Sequence, residues 1–243
     1  MIKLIYRISE VGYNKIKPYY VNNENCLKNA TVAFPLEIVD WHVIADGVGE
    51  ETKKMIESYI PPDKIDYINI KKGSGYPFMY SVDKFIKTLD DDTIIYFVEN
   101  DYIHRPNSYI ILQEGFELGA DYVTLYDHPD KYINAKDGGN PYIEDNGEIT
   151  RVYLSKSCHW KLTNSTTATF AAKIRTLKED YQTIVKFANQ PYLNDFAMFT
   201  ELIQVFNRTL ISPLPGYSTH GETKWLTPLI DWEQIILNSI KEK

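Results

Sequence analysis

Glu99 and Asp101 stand two residues apart at the end of an apolar run, Thr93-Ile94-Ile95-Tyr96-Phe97-Val98, and they are the first groups in this sequence that could do chemistry. A run of β-branched and aromatic residues bounded by acidic and polar stretches reads as a strand buried on both faces. In open α/β sheets, ligands gather where such strands end. If the chain stays extended through Glu99-Asn100-Asp101, the two carboxylates point the same way and could share a divalent cation carrying phosphate oxygens. The plain alternative is a solvated strand end. His104, in His104-Arg105-Pro106, follows closely and could reach phosphates or an acceptor, or cap the next helix. The strip His159-Trp160-Lys161-Leu162-Thr163-Asn164-Ser165-Thr166 could line an acceptor groove in which Trp160 stacks on a sugar ring, although a tryptophan also suits a core.

The elements that must position these groups alternate. Residues 2–8 read as a first strand, 24–34 as a helix ended by Pro35, and 37–45 as a second strand closing on Asp46-Gly47-Val48-Gly49. A helix opens at Glu50 and breaks at Pro61-Pro62, and residues 65–70 resume as strand. Phe78, Met79, Val82, Phe85, Ile86 and Leu89 recur at helical spacing, which predicts an amphipathic helix leading into the strand that ends at Glu99. Another helix starts near Pro106, and residues 121–126 follow as strand. This rhythm predicts an α/β fold with a mostly parallel, Rossmann-like sheet and helices on both faces. Beyond Asp127 it breaks. Residues 127–147, rich in Asp, Asn, Gly, Pro and Tyr, predict a long loop that serves a site or stays mobile. Residues 149–154 and 166–172 predict antiparallel strands, 177–188 and 194–207 helices, 209–212 a short strand and 231–241 a terminal helix. Glu179-Asp180 falls inside one of these helices beside lysines and reads as solvated. One domain is expected, with residues 1–126 as one half and 127–243 as a smaller, partly antiparallel second half.

Composition excludes some functions. The 243 residues include 26 Lys plus Arg against 33 Asp plus Glu, a formal net charge of −7, which argues against a nucleic-acid binder with a broad basic face. Two cysteines, Cys26 and Cys158, are too few for a disulfide framework or a zinc site, and a reducing compartment is expected. The first residues turn polar before a signal-peptide core could form, and no apolar run reaches the roughly eighteen residues of a membrane span. A cytoplasmic protein is therefore expected, and action at a membrane surface stays open. The Asn-X-Thr triplets at Asn29, Asn164 and Asn207 are chance matches in that setting.

The Asp46 turn and the strand end Glu99-Asn100-Asp101, in this order and spacing, resemble the nucleotide-sugar half of a GT-A-fold glycosyltransferase, closest to inverting family 2. The resemblance spans about residues 1–126 and loosens afterwards. It implies that Asp46 touches the base or ribose. It likens Glu99-Asn100-Asp101 to the family's Asp-X-Asp motif for a metal, Mn²⁺ or Mg²⁺, and the donor diphosphate. Glutamate in first place is a departure that leaves Asp101 the surer ligand. Gly73 and Ser74, in Gly73-Ser74-Gly75, fall where the family places a glycine-containing loop and helix start near the donor; Lys71 and Lys72 add positive charge, and a simple turn is the alternative. Arg7 and Ser9 match the family's nucleotide-binding position after the first strand. Asp195, in Asn194-Asp195-Phe196-Ala197-Met198, corresponds to the general base that takes the acceptor's hydroxyl proton; the alternative is an aspartate stabilised at a helix N-terminus. His220, in Ser218-Thr219-His220-Gly221, corresponds to a C-terminal histidine that joins the metal, or is a surface histidine.

The resulting expectation is a metal-dependent inverting glycosyltransferase that moves a sugar from a nucleotide diphosphate, a UDP-sugar first among the candidates, to a hydroxyl of a glycan or lipid-linked glycan. Two alternatives stand beside it. A sugar nucleotidyltransferase would carry a glycine-rich, Arg- and Lys-bearing signature directly after the first strand, which residues 9–17 lack. A non-catalytic glycan- or nucleotide-binding module would tolerate loss of Asp195.

Overall fold

The computed structural model describes residues 1–10 and 15–241, so part of the expected loop after the first strand lies outside the described residues. The first strand, β1 (Ile2–Ser9), is buried along nearly its whole length. Leu4, Tyr6 and Ile8 point to one face of the sheet and Lys3, Ile5 and Arg7 to the other, as a period of two requires. Each fully buried aliphatic side chain in such a strand contributes roughly 1.5–3 kcal/mol. Helix α1 (Asn23–Ala33) follows, its first turn capped by the Asn22 side chain, which accepts from the Asn25 amide at 2.9 Å. Then come β2 (Asp40–Asp46), α2 (Glu50–Glu57), β3 (Ile65–Ile68), α3 (Gly75–Phe85), β4 (Ile94–Glu99), β5 (Tyr102–His104), α4 (Ser108–Glu117) and β6 (Tyr122–Val123). The second half holds β7 (Val152–Leu154), β8 (His159–Leu162), β9 (Phe170–Lys173), α5 (Ile174–Glu179), α6 (Tyr181–Ala188), α7 (Asp195–Phe206), β10 (Leu210–Leu214), β11 (Ser218–His220) and α8 (Trp232–Lys241).

One nine-stranded sheet runs in the order β3-β2-β1-β4-β9-β6-β10-β8-β7. All its strands point the same way except β8 and β9. Helices α1, α2 and α4 cover the face that carries Leu4 and Tyr6; α3, α5, α6 and α7 cover the face that carries Ile5. Helix α8 lies on α1, burying Trp232 and Ile236 against Cys26 and Ile103. The expected α/β class, mostly parallel with helices on both faces, is the one observed. Strand β9, expected among antiparallel additions, sits in the middle of the sheet between β4 and β6.

Several local expectations are corrected. The 121–126 strand shortens to Tyr122–Val123, and the helix expected over 177–188 is interrupted at Asp180. Asp180 is not solvated: it is buried, accepting from the Tyr122 hydroxyl at 2.7 Å and from Arg208 Nε at 2.9 Å. Residues 159–162, read as a polar strip, form β8, in which Trp160 and Lys161 are both buried, one on each face of the strand. The loop at 127–147 is pinned by buried ion pairs. Lys161 Nζ lies 2.9 Å from Asp127 and 3.3 Å from Glu148, and the fully buried Lys131 donates to Ser165 Oγ at 2.6 Å.

Candidate active site

The parallel register sets the site. Arg7 on β1 is level with Ile44 on β2 and Glu99 on β4, and Ser9 is level with Asp46, so these groups share the carboxyl edge of the sheet. There the order of strands reverses around β1, the place where such sheets open a crevice. Asp101 follows in the turn after β4. The small antiparallel pair of β5 and β11 then puts His220 level with Tyr102, which brings His220 Nε2 to 3.3 Å from Asp101 Oδ2. From the opposite side, α7 presents Asp195 in its first turn.

Residues 166–169 link the two sides. The Ala168 amide donates to Asp195 Oδ2 at 2.7 Å, and the Ala168 carbonyl accepts from Arg7 Nη2 at 2.7 Å. Thr167 O accepts from the Tyr102 hydroxyl at 2.6 Å, and Thr169 Oγ1 accepts from the Glu99 amide at 3.2 Å. Ala168 achieves this double contact with φ of 47°, a left-handed conformation uncommon for a residue with a Cβ. Such backbone outliers concentrate at functional sites. Arg7 is buried over the Phe78 ring, 5.3 Å from its centroid, and its Nη2 lies 3.5 Å from Glu99 Oε1. Burial lowers the Arg7 pKa from its ordinary value, while the carboxylates of Glu99, Asp101 and Asp195 act in the opposite direction.

The carboxylates are driven apart electrostatically. Burial pushes the Asp195 carboxyl up to about 7, with the Glu99 charge adding to it and the Ala168 amide opposing. Burial would raise Asp101 as well, but the hydrogen bond and charge of His220 and the charges of Lys15 and Lys17 outweigh it and hold Asp101 well below the usual carboxylate range.

The remaining expected residues divide. Asn100 ties two elements together, donating to Asn23 Oδ1 at 2.6 Å and to Ser9 O at 3.4 Å. An open cleft of about 570 Å³ adjoins it, lined by Asn22, Asn23, Glu24, Glu51, Thr52 and Met55. Asp46 is buried and turned to the protein: its carboxylate accepts from the amides of Ile70 at 2.6 Å and Lys71 at 3.0 Å. It clasps the loop after β3 rather than facing the crevice. Gly73 and Gly75 serve backbone packing against residues 188–191. A Cβ on Gly73 would lie 2.1 Å from Pro191 O, and one on Gly75 would lie 2.0 Å from Gln190 O. The Gly75 amide already donates to Pro191 O at 3.1 Å and Pro77 has no amide, so the start of α3 is not an open anion site. Ser74 contributes its carbonyl, which accepts from Arg7 Nη1 at 3.3 Å.

Two assignments are corrected outright. Trp160 is fully buried, its Nε1 donating to Ser155 Oγ at 3.0 Å, so it offers no face to a sugar. His104 is fully buried between Phe34, Tyr96 and Tyr102; burial takes its pKa down to about 3, and it reaches neither phosphate nor acceptor. Next to the base in the chain, the half-buried Phe196 packs on the exposed Tyr142, their ring centroids 6.1 Å apart. Only the adjacency of Phe196 to Asp195 hinted at it in the sequence.

The expected metal is poorly matched by its donors. Asp101 Oδ2 is faced by Lys17 Nζ at 3.0 Å, Lys15 Nζ at 3.3 Å and His220 Nε2 at 3.3 Å, while Glu99 leans toward Arg7. Among the described residues no three His, Cys, Asp or Glu side chains gather at metal-binding spacing. The residues present do not fit Mn²⁺ or Mg²⁺.

No protein-family model and no curated protein matches the chain. Among solved structures it is similar to 4-diphosphocytidyl-2C-methyl-D-erythritol synthase from Anaerococcus prevotii, at 16% identity and a TM-score of 0.45, over 98% of this chain and 94% of that one. It is also similar to TarS 1–349 from S. aureus, at 15% identity and a TM-score of 0.41, over 74% of this chain and 49% of that one. Among the described residues, no helix is long and apolar enough to cross a membrane.

Proposed function

We propose that the protein is an inverting glycosyltransferase that takes a sugar from a nucleotide diphosphate, a UDP-sugar being the first candidate, and passes it to a hydroxyl of a glycan or lipid-linked glycan. The observation that supports this best is the Ala168 junction, which couples Asp195 to Arg7 and so to the carboxyl edge of β1 and β4. In this reading Asp195 takes the acceptor proton as the acceptor oxygen attacks the anomeric carbon from the face opposite the diphosphate. A pKa of about 7 suits that task, since a base is most effective near the operating pH. The exposed Tyr142, packed on the half-buried Phe196, supplies an aromatic surface for the acceptor sugar. Arg7 sets the position of the junction and adds positive charge below the donor. Asp46, Gly73 and Ser74 hold the donor-side loops in place, and Asn100 ties Ser9 to Asn23, which lines the cleft at α1.

The test is Asp195→Asn. Transfer is expected to fall by about 10²–10⁴-fold with nucleotide affinity unchanged. In the wild type, kcat/KM is expected to rise with pH to a plateau above about 7, because the base acts deprotonated. An Asn variant with normal turnover would remove the assignment. Lysines at Asp101 would also suit nucleotidyl transfer, which attacks a phosphoryl group and releases pyrophosphate. Nucleoside triphosphate consumption that survives Asp195→Asn would favour that chemistry.

A further inference from the structure

We propose that Lys15 and Lys17, gathered with His220 on Asp101, form the seat for the donor's diphosphate and do the work of charge neutralisation that a divalent cation was expected to do. The proposal rests on the nucleotide-diphosphate reading above. One carboxylate oxygen, Asp101 Oδ2, has Lys17 Nζ at 3.0 Å and both Lys15 Nζ and His220 Nε2 at 3.3 Å. The imidazole nitrogen that would turn to a metal lies 2.9 Å from Lys15 Nζ. A divalent cation placed there would sit against two ammonium groups with a single carboxylate between them.

The charges are arranged as in an anion site. Two ammonium groups meet on the single carboxylate of Asp101, while Glu99 is turned to Arg7 and Glu222 lies behind the imidazole, 4.0 Å from His220 Nδ1. Asp101 is 5% exposed and fixes the arrangement from below. The lysine side chains are 25% and 31% exposed, so solvent, and with it an anion, has access to them. An ammonium has three donors, and can keep a bond to Asp101 while donating to phosphate oxygens. Such a positive focus on a chain of net charge −7 also steers anions to one place.

Calorimetric titration of the full chain with inorganic pyrophosphate, UDP, GDP and deoxythymidine diphosphate, each with EDTA and with Mn²⁺, tests this. Pyrophosphate and one nucleotide are expected to bind equally well in EDTA and in Mn²⁺. Lys15→Gln/Lys17→Gln should weaken both by about tenfold or more; it also leaves the buried Asp101 with His220 alone, so a lower melting temperature is expected with it and binding is read where circular dichroism shows the variant folded. Lys15→Arg/Lys17→Arg, which keeps the charges, should restore most of the binding. Nucleotide binding that requires Mn²⁺, or that ignores the Gln replacements, overturns the lysine seat and leaves the glycosyltransferase reading standing. Pyrophosphate binding without any nucleotide binding supports the seat and removes the nucleotide-sugar reading. Binding of neither overturns the seat.

Discussion

In the proposed role Asp195 carries two opposed demands, since the environment that would suit it to proton transfer also makes it costly to fold. Its carboxyl is raised from an ordinary value near 3.8 to about 7. The folded chain therefore holds this proton more tightly than the unfolded chain. The cost of Asp195 is absent below pH 4, grows as pH rises from about 4 to 7, and is constant above. Asp195→Asn should consequently melt at the same temperature as the wild type at pH 4 and higher at pH 8, by the equivalent of about 2–4 kcal/mol, in a pH series of thermal scans. A gain that did not depend on pH would show that burial of the charge is not its source. Asp195 was legible because its place at a helix start is written locally. Lys15, Lys17 and Ala168 were not, because their roles depend on residues 101, 220, 7 and 195, and nothing in a lysine pair or a Thr-Thr-Ala-Thr run states those distances.

Among the elements, the 127–148 segment shows how a sequence without periodicity can still be fixed. Its order comes from ion pairs and hydrogen bonds that cross to β8, with Lys161 between Asp127 and Glu148 and over the Tyr132 ring at 4.6 Å. Removing one partner of a buried pair leaves the others uncompensated. Lys161→Ala should destabilise the protein by about 3–5 kcal/mol in urea denaturation and, on the proposed reading, weaken acceptor binding through Tyr142 before donor binding. A change below about 1 kcal/mol would mean that the pairs are solvated in practice. The helices and β1 to β4 could be read from the sequence because apolar period and turn chemistry agree there. Strands β5, β8 and β11 could not, because each is three or four residues long and is defined by its partner. Trp160 misled for the same reason: a polar-looking strip became a strand whose inward face it occupies.

For the whole molecule, the sheet order interleaves the two halves that the sequence suggested. β9 comes from residues 170–173 yet separates β4 from β6, so the first half ends in a strand whose far edge is completed only by the second. A chain cut after residue 126 should accordingly lack the far-ultraviolet dichroism of a folded α/β unit, and the full chain should unfold in one denaturant transition by both dichroism and tryptophan fluorescence. Two separated transitions would show that the halves are independent. The same placement governs biosynthesis. β4 ends at Glu99 and β9 at Lys173, so 74 residues must be added before the partner of β4 exists, roughly 4–15 s at ordinary rates of elongation. During that interval a buried, β-branched strand has one open edge in the nascent chain, which makes β4 the segment most exposed to pairing with a neighbouring polysome and the natural point of contact for a ribosome-associated chaperone.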